Sequence, residues 1–155
     1  MVPVAPQPTF TRIRAALLAL VFLGMTGIAT ELVLLDHYED SAQLVPLFLI
    51  VLAYVALALL VFMPSAISVR AFQGVMVLFV CAGALGVYFH FKGNVAFQLD
   101  MDPQMSRWDL FTKAMHAQAP PALAPGALAQ LGLLGLVAAY RHPRAASSSS
   151  PGEQT

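Results

Sequence analysis

Apolar residues are concentrated in four long runs, separated by polar and proline-containing segments. The runs cover residues 15–35, 44–63, 71–91 and 122–140. A transmembrane helix needs roughly 20 mainly apolar residues, because the hydrocarbon core is about 30 Å thick and a helix rises about 1.5 Å per residue. Each run meets this requirement to within a residue or two. The pattern predicts an all-α integral membrane protein, built as a four-helix transmembrane bundle.

The two ends of the chain differ from its apolar middle. Residues 1–11 contain several prolines and residues 145–155 contain a run of serines, so both have too little apolar content to fold. We predict that they are disordered and flank a single membrane domain, residues 12–144. The first run could also be a signal peptide, but it continues through Leu35, past the candidate cleavage site, which favours its retention as a helix.

Polar residues at the ends of the runs predict where helices begin and stop. Asp40 or Ser41 is placed to cap the second helix, after a connection so short that the first two helices must be antiparallel neighbours. Pro64 is expected to end the second helix. Ser65 or Ser68 is then placed to start the third.

The third connection, residues 92–121, is the only one long enough for structure of its own. Between Val95 and Met101 apolar and polar residues alternate, which predicts a short extended segment. Asp102 and Pro103 are then placed to start a helix. Its apolar residues, at helical spacing, are Met105, Trp108, Phe111 and Met115. This helix is expected to be amphipathic, lying either on the outer bilayer interface or on the ends of the spanning helices.

Composition and charge exclude several classes of protein. The chain is 59% hydrophobic and 10% charged, with a mean hydropathy of +0.75, whereas a soluble domain is about 25% charged. Its formal net charge is zero, so no nucleic-acid partner is expected. The single cysteine, Cys81, excludes an intrachain disulfide and two-cysteine redox chemistry.

The positive residues predict the orientation in the membrane. Five of the eight lysines and arginines fall on one side, and these are Arg12, Arg14, Arg70, Arg141 and Arg144. The other side carries Lys92, Arg107 and Lys113, all in the third connection. Because cytoplasmic loops are enriched in Lys and Arg, both termini are expected in the cytoplasm and residues 92–121 outside.

Small and amide side chains inside the runs predict how the helices pack. Gly24, Gly27, Gly83, Gly86, Gly132 and Gly135 recur in pairs on three runs. Glycine lets helix backbones approach closely, so these positions are expected at helix contacts. Gln73 and Gln130 are expected to make interhelical hydrogen bonds.

Glu31 is the one acidic residue inside an apolar run. Carboxylates within membranes are rare and costly, which favours a functional role such as proton or cation handling. Glu31 nevertheless lies only about 6 Å from the outer end of its run, at about 1.5 Å per residue. A structural pairing with lipid headgroups or with Lys92 is therefore the alternative.

A polar cluster is predicted around Glu31 on the outer face. This candidate functional face consists of Glu31, Asp36, His37, Glu39, Asp40, His90 and Asn94. Imidazole and carboxylate groups suit divalent transition metals, which makes His37, His90 and His116 weak metal candidates. No spacing typical of a metal site links them, so solvated loop charges are the alternative interpretation.

The sequence predicts no cofactor and identifies no catalytic residue. Transmembrane haem needs axial histidines within the spans, but every histidine lies at or beyond the end of a run. Intramembrane proteolysis needs a nucleophile with a base, or paired aspartates, at depth, and no Asp or His lies in a run's core. An enzyme is the least favoured class.

Residues 31–46, 90–94 and 130–143 resemble parts of small uncharacterised bacterial inner-membrane proteins with four transmembrane helices. The resemblance implies a multi-pass protein of the bacterial inner (plasma) membrane and brings no established activity with it.

The leading functional expectation is a non-enzymatic accessory or interaction subunit of a bacterial envelope assembly. A 16.6 kDa bundle has little room for a private substrate cavity. Its partners would be the lipid bilayer and other membrane or envelope proteins, which would meet an interaction segment around Trp108, Phe111 and Met115. The alternative is a small transporter or a metal- or proton-handling protein that uses Glu31 with the outer histidines and acidic residues. A homo-oligomer is left open.

Overall fold

The computed structural model describes residues 8–117 and 123–143. In these two ranges it contains five helices and no strand. The helices are α1 (Pro8–Leu34), α2 (Ser41–Phe62), α3 (Ala66–Met101), α4 (Arg107–Met115) and α5 (Ala124–Ala139). The prediction of an all-α protein is confirmed. α1 begins inside the stretch 1–11 that composition predicts as disordered, and the rest of that stretch and the tail 145–155 lie outside the described residues.

Three of the helices, α1, α2 and α3, are long and apolar enough to cross a membrane. Their composition and length support a membrane protein with transmembrane helices. The fourth apolar run forms α5, which has 16 residues. At about 1.5 Å per residue α5 is roughly 24 Å long, somewhat less than the thickness of the hydrocarbon core.

The predicted extended segment between Val95 and Met101 is wrong, because α3 continues without interruption to Met101. A single strand would leave its backbone N–H and C=O groups unpaired, whereas a helix pairs them within the segment. The alternating apolar residues also do not form a buried face, since Phe97 is 61% exposed and Met101 is 73% exposed. A period of two in so short a segment therefore did not indicate a buried strand face.

The helix ends follow the predicted capping residues. Asp40 occupies the N-cap position of α2, and its backbone N–H donates to Gln43 Oε1 at 3.2 Å. Ser65 caps α3 reciprocally with Ser68: Ser65 Oγ accepts the Ser68 N–H at 3.1 Å, and Ser68 Oγ accepts the Ser65 N–H at 2.8 Å. α2 ends just before Pro64. These boundaries are local properties of the sequence.

The helices α1, α2, α3 and α5 contact one another in a cycle. α1 packs on α2, α2 on α3, α3 on α5 and α5 on α1. Fully buried side chains fill the space between them, and the largest are Phe72, Phe79, Met25, Ile50, Met76, Val21 and Val69. α4 contacts α3 alone among the described helices, so it lies outside this core.

Glycine brings α3 and α5 into close antiparallel contact. A Cβ atom added to Gly83 would lie 2.6 Å from the carbonyl oxygen of Pro125, and one added to Gly132 would lie 2.6 Å from that of Met76. Both obstacles are backbone atoms, which cannot move aside cheaply. The expected role of glycine is confirmed at this interface, whereas a Cβ at Gly27 would meet no atom within 4 Å.

Polar bonds hold the C-terminal end of α5. Arg14 Nε donates to the carbonyl oxygen of Ala138 at 2.8 Å, and a second guanidinium nitrogen donates to that of Tyr140 at 3.3 Å. Gln73 Nε2 donates to the Ala139 carbonyl at 3.2 Å, which confirms the expected interhelical bond. A cation suits the negative end of the helix dipole. Arg14 and the C-terminus of α5 therefore share the end of the molecule that lies opposite the connection between α1 and α2.

Candidate functional site

The connection between α1 and α2 begins with a sharp reversal at Asp36. The His37 N–H donates to the Leu32 carbonyl at 2.9 Å and the Asp36 N–H donates to the Val33 carbonyl at 3.2 Å. This pair of bonds is the Schellman pattern that ends many helices. Asp36 has φ 49°, the left-handed conformation that glycine usually occupies. The reversal sets the position of His37 over the end of the helices.

The Asp36 carboxylate is engaged within its own loop. Tyr38 donates its hydroxyl to Asp36 Oδ1 at 2.7 Å. This hydrogen bond, with a smaller contribution from desolvation, raises the pKa of Tyr38 above its ordinary value. Asp36 therefore stabilises the turn, and its carboxylate is already bonded to a neutral donor.

The structure brings His37 and His90 together from separate elements. Their ring centroids are 6.2 Å apart and their planes differ by 17°, so the rings are stacked. Both side chains are half-buried. His37 comes from the α1–α2 connection and His90 from within α3. This pair is the centre of the candidate site.

The remaining acidic residues of the predicted face stay in solvent-accessible positions. Glu31, in the last turn of α1, is exposed, and its carboxylate makes no hydrogen bond or ion pair with Lys92 or with any other described residue. Glu39 and Asp40 are exposed at the start of α2, where their backbone N–H groups donate to Gln43 at 2.9 and 3.2 Å. The predicted pairing of Glu31 with Lys92 is therefore not formed in this structure.

His116 is the third metal candidate, and it lies at the end of α4. Its Nδ1 is 2.8 Å from the carbonyl oxygen of Thr112, one turn earlier on the same helix. Within residues 8–117 and 123–143, no three His, Cys, Asp or Glu side chains are grouped closely enough to hold a metal ion. His37 and His90 form a pair, and His116 does not complete a metal site with them.

Asn94 lies one turn beyond His90 and holds α4 in place. Its Nδ2 donates to the carbonyl oxygen of Ala114 at 3.0 Å. Ala114 is fully buried against α3. We call α4 and the part of α3 from His90 onward the α3–α4 hairpin (residues 90–115). Asn94 belongs to its internal bonding and has a positioning role.

The start of α4 was predicted too early. Asp102 ends α3, and its Oδ1 accepts the Gln104 N–H at 3.1 Å. Ser106 is the N-cap of α4, accepting the Asp109 N–H at 3.2 Å and donating its hydroxyl to Asp109 Oδ2 at 2.7 Å. A serine followed by an acidic residue three positions later is a known helix-start signal, so the sequence did carry this information.

Of the two aromatic residues of α4, Phe111 contacts α3 and Trp108 is mostly exposed. The rings of Phe111 and Phe91 are 6.0 Å apart, which joins α4 to α3. Trp108 stacks on Phe111 at 5.9 Å but remains 71% exposed. Met115 is half-buried. Three residues of the predicted stripe therefore lie on α4, whereas Met105 precedes this helix, and α3 covers only part of the stripe.

The hairpin projects from the rest of the molecule. From His90 to Met101, α3 rises about 16 Å beyond the level of the stacked histidines. Large apolar side chains are exposed along it, and they are Phe97, Met101, Trp108 and Phe111. Two open grooves of about 370 and 290 Å³ lie elsewhere, along α5. This end of the molecule is thus a projecting surface with a histidine pair at its base.

Comparison with known proteins identifies no relative. No family model matches the chain, and it resembles neither a curated protein nor a solved structure at a significant level.

Proposed function

We propose that the chain crosses the bacterial inner membrane four times, as a four-helix bundle with both termini in the cytoplasm and the α3–α4 hairpin outside. α5 supports this as the fourth span, because it is apolar and packs antiparallel on α3 along the glycine contact. A helix of this length can be accommodated by local thinning of the bilayer. The arginines at the Arg14 end favour a cytoplasmic location for that end.

We further propose that the protein is a non-enzymatic accessory or interaction subunit of an envelope assembly. The exposed aromatic surface of the α3–α4 hairpin carries this proposal. The surfaces of soluble proteins rarely expose Trp and Phe side chains next to each other, and Trp is enriched at the energetic centres of protein interfaces. Asn94 and Phe91 contact α4 and position this surface relative to α3. A membrane or envelope protein is the partner it suits.

Site-specific photocrosslinking in native membranes tests this function. The photoreactive residue is placed singly at Trp108 and at Met101, which are 71% and 73% exposed, and at Ile67 as a control. Ile67 is 81% exposed at the other end of α3, roughly 50 Å from Met101 along the helix at about 1.5 Å per residue. We expect both hairpin positions to give the same protein adduct and Ile67 to give none. Adducts with lipid alone at Trp108 and Met101 would overturn the proposal.

The stacked histidine pair favours a second candidate, which is proton or metal-ion handling at the outer face. Two imidazoles at 6.2 Å, close to the end of α1 that carries Glu31, could exchange a proton or share a cation. Purified protein in liposomes would then carry a proton or divalent-cation flux. That flux should disappear in Glu31→Gln and His90→Ala and persist in Trp108→Ala. Such a result would replace the accessory-subunit proposal.

A further inference from the structure

Gln130 lies in an unusual environment for an amide. It sits on the apolar helix α5, roughly 9 Å from the helix's first residue at about 1.5 Å per residue, and its side chain is exposed. It makes no hydrogen bond with any residue that the structure describes, whereas Gln73 reaches the Ala139 carbonyl at 3.2 Å. Hydrocarbon offers no water to satisfy an amide, so leaving it unpaired is unfavourable. The interhelical bond expected of Gln130 is therefore not formed between the described helices.

Five exposed residues and one half-buried glycine, on α5 and at its two caps, follow a regular spacing. Separations of three and four residues alternate along Leu123, Gly126, Gln130, Leu133, Val137 and Tyr140. This spacing is the heptad pattern of left-handed helix pairs. We call these six residues the α5 stripe. Leu133 and Val137 are 55% and 63% exposed, and a Cβ at Gly126 would meet no atom within 4 Å.

The α5 stripe points away from the contacts that α5 makes inside the molecule. Gly132 and Gly135 face α3, where they contact Met76, and Leu131 faces Gly24 of α1. The stripe lies between these two contact surfaces, in a sector about 100° wide if each residue turns the helix by about 100°. Gln130 also borders a groove of about 370 Å³ between α1 and α5, which leaves room for an incoming side chain. The stripe is thus a helix surface with no helix packed on it among the described elements.

We propose that the α5 stripe is the interface with a second copy of this chain, and that Gln130 pairs with the same residue of that copy. Copies inserted in one membrane share one orientation, so a two-fold axis along the membrane normal places the two α5 helices side by side and parallel. Equivalent residues then meet across the axis. An amide is both donor and acceptor, so two of them can exchange hydrogen bonds. One polar residue within an apolar heptad seam also sets the register.

Disulfide trapping in native membranes tests the interface. In a Cys81→Ala background, single cysteines replace Leu133 and Val137 on the stripe, and Val51 and Val55 serve as controls. The controls are 61% and 52% exposed on α2. We expect oxidation to give a dimer of this chain at the stripe positions and monomer at the controls. Equal dimer at all four positions, or an adduct with a different protein at Leu133, would overturn the proposal.

Substitution of Gln130 tests the hydrogen bonds themselves. Energy transfer between labelled copies in vesicles measures the dimer dissociation constant. From the usual strength of an interhelical hydrogen bond in a membrane, we expect Gln130→Leu to raise this dissociation constant about threefold to tenfold. Gln130→Asn, which keeps the amide, should leave it within about twofold of the original. Because Gln130 makes no hydrogen bond with any described residue, Gln130→Leu should not lower the unfolding midpoint of the monomer. An unchanged dissociation constant in Gln130→Leu would overturn the pairing.

Discussion

The two parts of α3 are stabilised in different ways, although they form one continuous helix. The part from Ala66 to about Phe89 packs on α2 and α5, with Phe72 and Phe79 fully buried. The part from His90 to Met101 contacts the short helix α4 and exposes Phe97 and Met101. The first is therefore stabilised by close packing across a glycine interface, and the second by a few specific contacts. Bundle and hairpin should accordingly respond differently to mutation.

The largest expected effect is on the bundle part. Gly83→Val places a side chain against backbone atoms of Pro125 and Ala129, 2.6 to 2.7 Å from a Cβ. Overpacking of this kind typically costs about 1–3 kcal/mol, and the upper end is expected here because the obstacles are backbone. Unfolding measured in detergent should show this loss as a lower free energy of unfolding. Gly74→Val is the matched control, since nothing lies within 4 Å of its Cβ. An equal loss of stability in both variants would contradict the proposed difference between the two parts of α3.

At the base of the bundle, Arg14→Ala should produce the next largest effect. It removes two hydrogen bonds to the last carbonyls of α5 and a cation from the negative end of the helix dipole. Losses of this type typically amount to about 1–2 kcal/mol. Arg12→Ala, at an exposed position two residues earlier, is the control. We expect faster amide exchange at the end of α5 for Arg14→Ala alone.

In the hairpin, Asn94→Ala should act locally. It removes the bond to the Ala114 carbonyl, and a hydrogen bond of this kind contributes about 1 kcal/mol. Amide exchange should accelerate in α4 and leave Phe72 and its neighbours in the bundle unchanged. Gly93→Ala is the control, because a Cβ there meets no atom within 4 Å. Global unfolding at a lower denaturant concentration would show that bundle and hairpin are not separable.

The smallest effect is expected in the loop beside the hairpin's base. The hydrogen bond to Asp36 raises the pKa of Tyr38, so the bond stabilises the fold below the ordinary tyrosine pKa. That stabilisation is lost as the pH rises through the raised value. In an ultraviolet titration, Asp36→Asn should shift the phenolate signal of Tyr38 to lower pH. Tyr38→Phe identifies that signal, and an identical titration in Asp36→Asn would show that the bond does not persist in solution.

Part of the candidate site could be foreseen from the sequence. The turn after Leu34 and the caps at Asp40 and Ser65 depend on neighbouring residues, and they lie where the sequence placed them. The meeting of His37 with His90 could not be foreseen, because nothing local links a loop residue to one within a later helix. Composition also could not show whether the Glu31 side chain pairs with another residue or stays exposed.

The sequence by itself determined the class of this protein. Hydropathy and length predicted helices that can cross a membrane, because hydrocarbon excludes unpaired backbone groups whatever the neighbouring helices are. Four such helices were predicted, and three of the described helices are long and apolar enough. Tertiary structure decided which surfaces meet: Gly83 and Gly132 across α3 and α5, and Asn94 with Ala114 in the hairpin. It also decided that residues 92–101 are helical and that Gln130 faces outward. These outcomes depend on contacts between residues distant in the chain, whose energies no local pattern contains.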